Sequence, residues 1–435
     1  MNATLTTLTR RYVVLNVLGW LPTGLCAPVL ILLLAARGID MATMGALLAA
    51  YGLTAAALEL PTGGLADVVG RRPVLLAASL LFLVSAVSIG IGTSVLVLAT
   101  GILLEAAGRA LDSGPLQAWY VDAAHAADPD VDLTAGFARA RTAGSIALAV
   151  GALLGGALAG WVPLPSAGAA PILALSLPYL VAAGVVAVRL VVQQIWVDDI
   201  GRGPRAADLR AVAADIPRTV GAGLRTCARN GVLRRITVLC GVFGVVLAAV
   251  ELLAPLQIAQ GLGGDQRAVG VFAVVTACGG FAMAAGAAAA PPLSRLLGSV
   301  RYTVLAALAL TAIAVAALGT PLLALSAAGY ILVYLALGAP EPLLDVLTHR
   351  AATTAERATV LSVQSLALRV CGSLGALAAG LLATSVSPAA IPALLVAVLA
   401  LGGLTALGLP TRDRSADENP TAVESRPGTT LEVPA

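Results

Sequence analysis

Residues 63–72 read Gly63-Gly64-Leu65-Ala66-Asp67-Val68-Val69-Gly70-Arg71-Arg72 and join two long apolar runs. Glycine permits the tight turn and close helix contact that so short a connection needs. An acid followed by two arginines at a membrane surface suits a charge latch between helices. Asp122, at the end of the fourth apolar run, could pair with one of these arginines.

The apolar runs on either side of this loop continue along the chain. Of its 435 residues, 59% are hydrophobic and only 11% are charged, against about 25% charged residues in soluble domains. A helix that crosses a membrane needs about 20 apolar residues. Such runs lie near 12–36, 41–66, 73–91, 95–119, 142–162, 171–193, 236–259, 268–290, 302–319, 322–346, 358–384 and 389–409. The sequence therefore predicts an all-α membrane protein with twelve transmembrane helices.

The arginines are distributed unevenly between the two sides that twelve spans would create. One side carries the arginines near both chain ends, those of the loop 63–72 and an arginine-rich central loop, whereas the other carries only Arg37 and Arg267. Basic residues concentrate in cytoplasmic loops. This pattern predicts a multi-pass protein of the inner or plasma membrane with both termini in the cytoplasm.

The chain also repeats itself, because Gly151-Ala152-Leu153-Leu154-Gly155-Gly156 recurs as Gly375-Ala376-Leu377-Ala378-Ala379-Gly380. We expect two parallel six-helix halves, at 1–193 and 236–410, which enclose a site near the middle of the membrane. Residues 194–235 would form a cytoplasmic linker loop and residues 411–435 a disordered cytoplasmic tail. The linker is either a plain basic connection or a helix on the inner leaflet, since Leu209, Val212, Ile216 and Val220 recur at helical spacing.

These features resemble the major facilitator superfamily, whose loop between the second and third spans reads G-x-L-A-D-R-x-G-R-R/K. Here Val68 stands where that family usually has arginine. The resemblance implies the major facilitator fold. It also implies that Gly63, Asp67, Gly70, Arg71 and Arg72, with Asp122, form a latch that stabilises one conformational state.

The fifth span adds a second resemblance within the same superfamily. Gly151, Gly155 and Gly156 look like the G-P-x-x-G-G signature of drug/proton antiporters, with Ala152 in place of the proline. Small residues at this spacing also serve general helix packing in membranes, so that alternative stays open.

Charged residues inside the predicted spans are the candidate transport site. Glu105, Arg109 and Asp112 share one face of the fourth span, since they are spaced i, i+4 and i+7. The others are Glu59, Glu251, Glu341 and Arg369. A charge in the bilayer centre costs about 3 kcal/mol on insertion scales, so each should face a cavity or a partner. The alternative for Glu105 and Arg109 is an intrahelical ion pair that only stabilises packing.

Five embedded acids would thus oppose two embedded arginines. An acid in apolar surroundings can take up a proton near neutral pH, so this excess favours protons together with a cationic or neutral substrate. The partners that we expect are a small-molecule substrate, protons and the lipid bilayer, with the chain as a monomer.

Several functions are excluded by what the sequence lacks. It contains no GxxxxGK[ST] phosphate loop, no HExxH motif and no CxxC pair, so we expect no enzyme, cofactor or metal site. The basic loop follows from membrane topology and does not indicate nucleic-acid binding. The sequence predicts proton-coupled export of small amphipathic or cationic molecules, drugs or natural products, by alternating access. An importer or uniporter of a small metabolite, or a non-transporting membrane sensor, remains as an alternative.

Overall fold

A computed structural model describes residues 3–63, 65–198, 218, 220–263, 267–353, 356–385 and 390–411. This part of the chain contains helices and no strand. In chain order the helices are α1 (Ala3–Cys26), α2 (Leu30–Ala36), α3 (Met41–Gly63), α4 (Leu65–Val69), α5 (Arg71–Ile91), α6 (Val95–Asp112), α7 (Pro115–Ala127), α8 (Thr134–Trp161), α9 (Leu177–Trp196), α10 (220–229), α11 (Gly231–Gly261), α12 (Arg267–Leu296), α13 (Val300–Leu318), α14 (Leu323–Gly338), α15 (Pro340–Ala351), α16 (Arg357–Ser385) and α17 (Ala390–Ala406).

These helices confirm the predicted membrane fold. Ten of the resulting spans are long and apolar enough to cross a bilayer. The other two are α6, which carries three charged residues, and α17, which has 17 residues. The outward surface is apolar, as lipid contact requires: Leu80, Phe281, Ile313 and Leu404 are 53–69% exposed.

Three spans expected as continuous runs are instead interrupted. The first breaks between Cys26 and Leu30, around Pro28. The fourth breaks at Gly114, whose φ of 99° favours glycine, and Pro115 then begins α7. The tenth breaks before Pro340. Each break coincides with a proline, which lacks the backbone N–H that continues a helix, although Pro22, Pro255, Pro291 and Pro292 lie inside continuous helices.

The bundle has two chemically distinct faces. The basic face carries the connections at 64–70, 128–133, 297–299 and 352–356, and the opposite face carries those at 37–40, 92–94, 162–173 and 319–322. At the opposite face, Arg37 fixes the loop 162–173 by donating to the carbonyl oxygens of Gly168 (3.0 Å), Ala170 and Pro171 (2.9 Å). The loop is therefore tied to the end of the first span.

The first six spans contact the last six mainly through α3 with α16 and α8 with α12. Gly45 of α3 lies against Ala376 and Gly380 of α16, near the opposite face. Gly156 of α8 lies against Val269 and Ala273 of α12 at the same level. The absence of a side chain at each glycine lets the backbones approach. The bundle is thus closed at the opposite face.

Part of the predicted linker is helical. Residues 199–217 and 219 lie outside the described residues, and with them Leu209, Val212 and Ile216. Helix α10 packs against α16, with Cys227 in a buried cluster that includes Val360 and Val363. The division into domains at 193, 235 and 410 stays a prediction, as does the tail, since 412–435 also lie outside the described residues.

Candidate functional site

Helix α6 places Glu105 on a pocket inside the first six spans. Thr23, Cys26, Tyr179 and Arg189 also line this pocket. The Glu105 side chain is half-buried, and in the described part of the chain its carboxylate has no hydrogen bond or ion pair. Within the described residues, no side chain pairs with this acid directly, although the charge of Arg109 acts on it.

Arg109, one turn further along α6, is held by other helices. Its Nη2 donates to Thr23 Oγ1 at 3.0 Å. Its guanidinium carbon lies 5.4 Å from the ring centroid of Trp20 and 5.7 Å from that of Phe82, which is cation–π distance. The alternative of an intrahelical ion pair with Glu105 is therefore not the arrangement in the described structure. The Arg109 charge is stabilised by aromatic faces, and this leaves Glu105 available.

Asp112, by contrast, is committed to a buried network. Arg189 of α9 is only 2% exposed, and its Nη2 lies 2.5 Å from Asp112 Oδ1. With the Gln193 amide oriented to satisfy its neighbours, its oxygen accepts from Arg189 Nε at 3.3 Å and its nitrogen donates to Ser79 Oγ at 2.7 Å. Arg189 was not among the predicted site residues, so the predicted count of two embedded arginines is wrong. The available signal was a single arginine within the otherwise uncharged α9.

Glu59 and Arg369 join the two sets of six spans. Arg369 Nε of α16 lies 2.8 Å from Glu59 Oε2 of α3, and each side chain is 31% exposed. Both residues were predicted as site residues, but not as a pair. Because α3 and α16 also meet through Gly52 and Ser373, this ion pair lies along the interface between the two sets of spans.

Glu251 and Glu341 occupy different environments on the last six spans. Glu251 is exposed near the middle of α11 and accepts a hydrogen bond from Tyr334 Oη at 3.1 Å. Glu341 is exposed in the first turn of α15, after the break in the tenth span. The seven predicted site residues therefore do not form one constellation. They divide into Glu105 with Arg109, Asp112 paired with Arg189, Glu59 paired with Arg369, and two acids, Glu251 and Glu341, on the last six spans.

The predicted latch residues make contacts within the first six spans. Arg71 Nη2 lies 2.8 Å from Asp122 Oδ2 of α7, and Arg72 Nη2 donates to the carbonyl oxygen of Gln194 at 2.6 Å. Gly70 takes a φ of 104° immediately before α5. Gly63 ends α3, whereas Gly64 and the side chain of Asp67 lie outside the described part. The role of these contacts as a latch stays a prediction.

The three glycines of the fifth span face two different partners. Gly151 and Gly155 lie against the backbone of α1 at Leu21 and Leu25, whereas Gly156 lies against α12. The first two therefore pack within one set of spans, and the third contributes to closure at the opposite face.

Aromatic side chains around the site were not predicted. Trp20, Phe82 and Tyr334 contact the charged residues. Aromatic residues make up only 4% of the chain, so their rarity inside the spans was the signal that could have identified them. Among the described residues, no group of three or more His, Cys, Asp or Glu side chains could hold a metal ion.

Comparisons with known proteins agree with this architecture. A search of curated protein sequences gave no match. Among solved structures, the nucleoside transporter NupG is similar with a TM-score of 0.72 and 12% identity, over 92% of this chain and 98% of that one. The peptide transporter POT in complex with sulfate gives 0.70 and 14%, over 92% and 93%. A POT family transporter in complex with 5-aminolevulinic acid gives 0.67 and 14%, over 92% and 94%.

These likenesses concern the fold, because the identities are low. The family model described as Major Facilitator Superfamily matches residues 13–336, which is most of the chain. This chain belongs to the Major Facilitator Superfamily and is a multi-pass membrane protein with a transporter fold.

Proposed function

We propose that this protein is a proton-coupled exporter of small amphipathic or cationic molecules that works by alternating access. The observation that carries the proposal is Glu105, a pocket carboxylate without a hydrogen bond or ion pair in the described part. A charge placed inside a membrane is costly and is typical of ion and proton pathways. Glu105 can lower that cost by binding either a proton or a cationic substrate, which is the competition that an antiporter requires.

Arg109 supports the same assignment because its charge is fixed beside this acid. Thr23, Trp20 and Phe82 hold the guanidinium in place. A fixed positive charge favours the ionised form of a nearby acid, whereas apolar surroundings favour the protonated form. Opposed influences of this kind let a carboxyl group change its protonation state during a transport cycle.

The two faces of the bundle suggest how the cycle is oriented. By the positive-inside rule, the basic face would be cytoplasmic and the membrane would be the inner or plasma membrane, with both termini inside. Closure through Gly45 and Gly156 at the opposite face then corresponds to an inward-facing state. The cross-bundle pair of Glu59 and Arg369 and the contacts of Arg71 and Arg72 would regulate departure from this state. We expect the chain to work as a monomer.

The test is efflux of the cationic dye ethidium from cells that express the protein, with and without a protonophore. The variant is Glu105→Gln, which keeps the side-chain shape and removes the titratable group. Asp130→Asn, in the exposed connection between α7 and α8, is the matched control. We expect wild type and the control to export ethidium, and both the protonophore and Glu105→Gln to slow export at least tenfold.

Other outcomes would select the alternatives. Retention equal to that of cells without the protein, at confirmed expression, rejects cation export and favours a metabolite importer or uniporter. Uptake assays with metabolites, beginning with nucleosides and small peptides because the similar structures are transporters of these, would then be the next measurement. Export that continues after Glu105→Gln rejects Glu105 as the coupling acid.

A further inference from the structure

Helix α11 runs through the centre of the last six spans. It contacts α12, α14, α15, α16 and α17, and it also reaches α2 and α3 of the first six spans. Between residues 239 and 259 every position is buried or half-buried except Glu251, which is exposed. Because neighbouring helices surround this stretch, we infer that the exposed Glu251 faces the space between the two sets of spans rather than the lipid.

Aromatic residues surround this acid on one side. Tyr334 Oη donates to Glu251 Oε1 at 3.1 Å. The rings of Tyr334 and Tyr330 have centroids 4.8 Å apart, and Phe272 meets Tyr330 edge-on at 5.6 Å. Gly279 of α12 leaves room for both tyrosines, since a Cβ there would lie 2.9 Å from Tyr330 Cε1. The group of Glu251, Tyr334, Tyr330 and Phe272 is called the α11–α14 cluster below.

The α11–α14 cluster differs in one chemical respect from the site on α6 that Glu105 and Arg109 form. At the α6 site, Arg109 supplies a cation that already lies against two aromatic rings. The α11–α14 cluster has a carboxylate and aromatic faces as well, but within the described residues no arginine pairs with Glu251. The surroundings are those that stabilise an organic cation, by charge attraction to the acid and by cation–π contact with the rings.

We propose that the α11–α14 cluster is the subsite that binds the cationic group of the transported substrate. Glu251 neutralises the charge of the substrate. Tyr334 presents its ring face and orients the Glu251 carboxylate through its hydroxyl. Tyr330 packs against Tyr334, and Phe272 packs against Tyr330. The proposal rests on the proposed function for its place in a transport cavity. Under this proposal Glu105 binds the proton and Glu251 binds the cationic group of the substrate.

The experiment measures equilibrium binding of ethidium to the purified full-length protein by fluorescence polarisation. Its variants are Glu251→Gln, Tyr334→Phe and Tyr334→Leu, with Asp130→Asn as the control. We expect Glu251→Gln to weaken binding at least tenfold. Tyr334→Leu should weaken it about 2- to 30-fold, the range of a cation–π contact. Tyr334→Phe keeps the ring and should stay within about threefold of wild type.

A second measurement needs no variant and so does not depend on how the substitutions fold. Dicyclohexylcarbodiimide modifies membrane-embedded carboxyl groups, and peptide mass spectrometry reports its attachment to Glu251. We expect ethidium to protect Glu251. Phenanthridine, the uncharged ring system related to ethidium, should not protect it at neutral pH.

The failures of the two proposals can be told apart. Wild-type binding of ethidium by Glu251→Gln, or equal protection by phenanthridine and ethidium, overturns the cation subsite while leaving proton coupling at Glu105 untouched. Glu105→Gln that still binds ethidium but exports it at the wild-type rate overturns the coupling role and leaves the subsite in place. A wild-type protein that does not bind ethidium rejects the subsite.

Discussion

Arg369 of α16 and Glu59 of α3 form an ion pair, at 2.8 Å, that joins the first six spans to the last six. If the two sets of spans rock against each other, as proposed, a connection between them has to change, whereas ion pairs within one set need not. Each side chain is 31% exposed, so the pair is only partly withdrawn from solvent, although Arg369 Nε itself is buried. Partly exposed pairs contribute up to about 1 kcal/mol. This is enough to bias two conformations without locking either.

Charge reversal tests this pair directly. We expect Glu59→Arg alone and Arg369→Glu alone each to slow transport at least tenfold, because each places two like charges together. The double variant restores opposite charges and should recover most of the wild-type rate. Initial rates of ethidium efflux at matched expression are the measurement. If the double variant is no faster than the single variants, the pair does not couple the two sets of spans.

The second prediction concerns the buried pair of Arg189 and Asp112. Asp112→Asn leaves a guanidinium only 2% exposed without its carboxylate, and removal of one partner from a buried pair costs about 3–5 kcal/mol. We therefore expect a large loss of thermal stability in the purified variant, which a thermal melt followed by intrinsic fluorescence would measure. Asp130→Asn, in an exposed connection, should melt as the wild type does. A wild-type melting temperature for Asp112→Asn would show that Gln193 and water already satisfy Arg189.

The fold was more predictable from the sequence than the site was. Apolar runs of about 20 residues and the uneven distribution of arginines can both be read directly along the chain, and together they predict twelve spans. The breaks at Gly114 and Pro340 carry local signals too, and were overlooked only because the runs continued past them. Span positions therefore needed no knowledge of packing.

Which side chains meet depends on how helices rotate and pack, and hydropathy does not record that. The spacing of Glu105, Arg109 and Asp112 placed them on one face, yet Asp112 pairs with Arg189 while Arg109 meets Trp20. The pairing of Arg71 with Asp122 could be anticipated because both lie at the ends of consecutive spans. No comparable local rule connects Glu59 with Arg369, because these two residues are about 300 positions apart in the chain.

The third prediction concerns closure at the opposite face. A Cβ at Gly156 would collide with the Cβ of Ala273, whereas a Cβ at Gly184 of α9 meets nothing within 4 Å. We expect Gly156→Ala to push α8 and α12 apart and to favour a state that is open at the opposite face. Gly184→Ala should leave the conformational distribution as in the wild type.

Distances between spin labels at Thr93 and Thr320, in opposite-face connections of the two sets of spans, would measure this change. The labels require a background in which the five native cysteines are replaced. We expect a longer distance population in Gly156→Ala than in Gly184→Ala. Identical distributions in the two variants would show that neighbouring residues absorb the extra methyl group and that Gly156 does not control closure.

The last prediction is a pH dependence at the basic face, where Glu356 connects α10 to α16. Thr353 Oγ1 donates to Glu356 Oε2 at 2.7 Å and Thr226 Oγ1 donates to Oε1 at 3.1 Å. Hydrogen bonds from Thr353 and then from Thr226 hold the pKa of this carboxyl below its ordinary value. Because the pKa is lower in the folded protein, the stabilisation is complete at neutral pH. It is lost as the pH falls below the ordinary carboxyl range and through the lowered pKa.

Hydrogen exchange of the α10 amides, corrected for the intrinsic pH dependence of exchange, measures this effect. We expect protection of residues 220–229 to decrease as the pH falls below about 4, the ordinary range of a glutamate carboxyl. Glu356→Gln should show reduced protection already at neutral pH and no further carboxyl-dependent loss, because an amide does not titrate in this range. Thr226→Val separates the two hydrogen bonds, since it removes only the one that crosses from α10 to Glu356. Equal protection of α10 in wild type and Glu356→Gln at both pH values would mean that the apolar contacts of Cys227 with α16 hold the helix without help from this carboxylate.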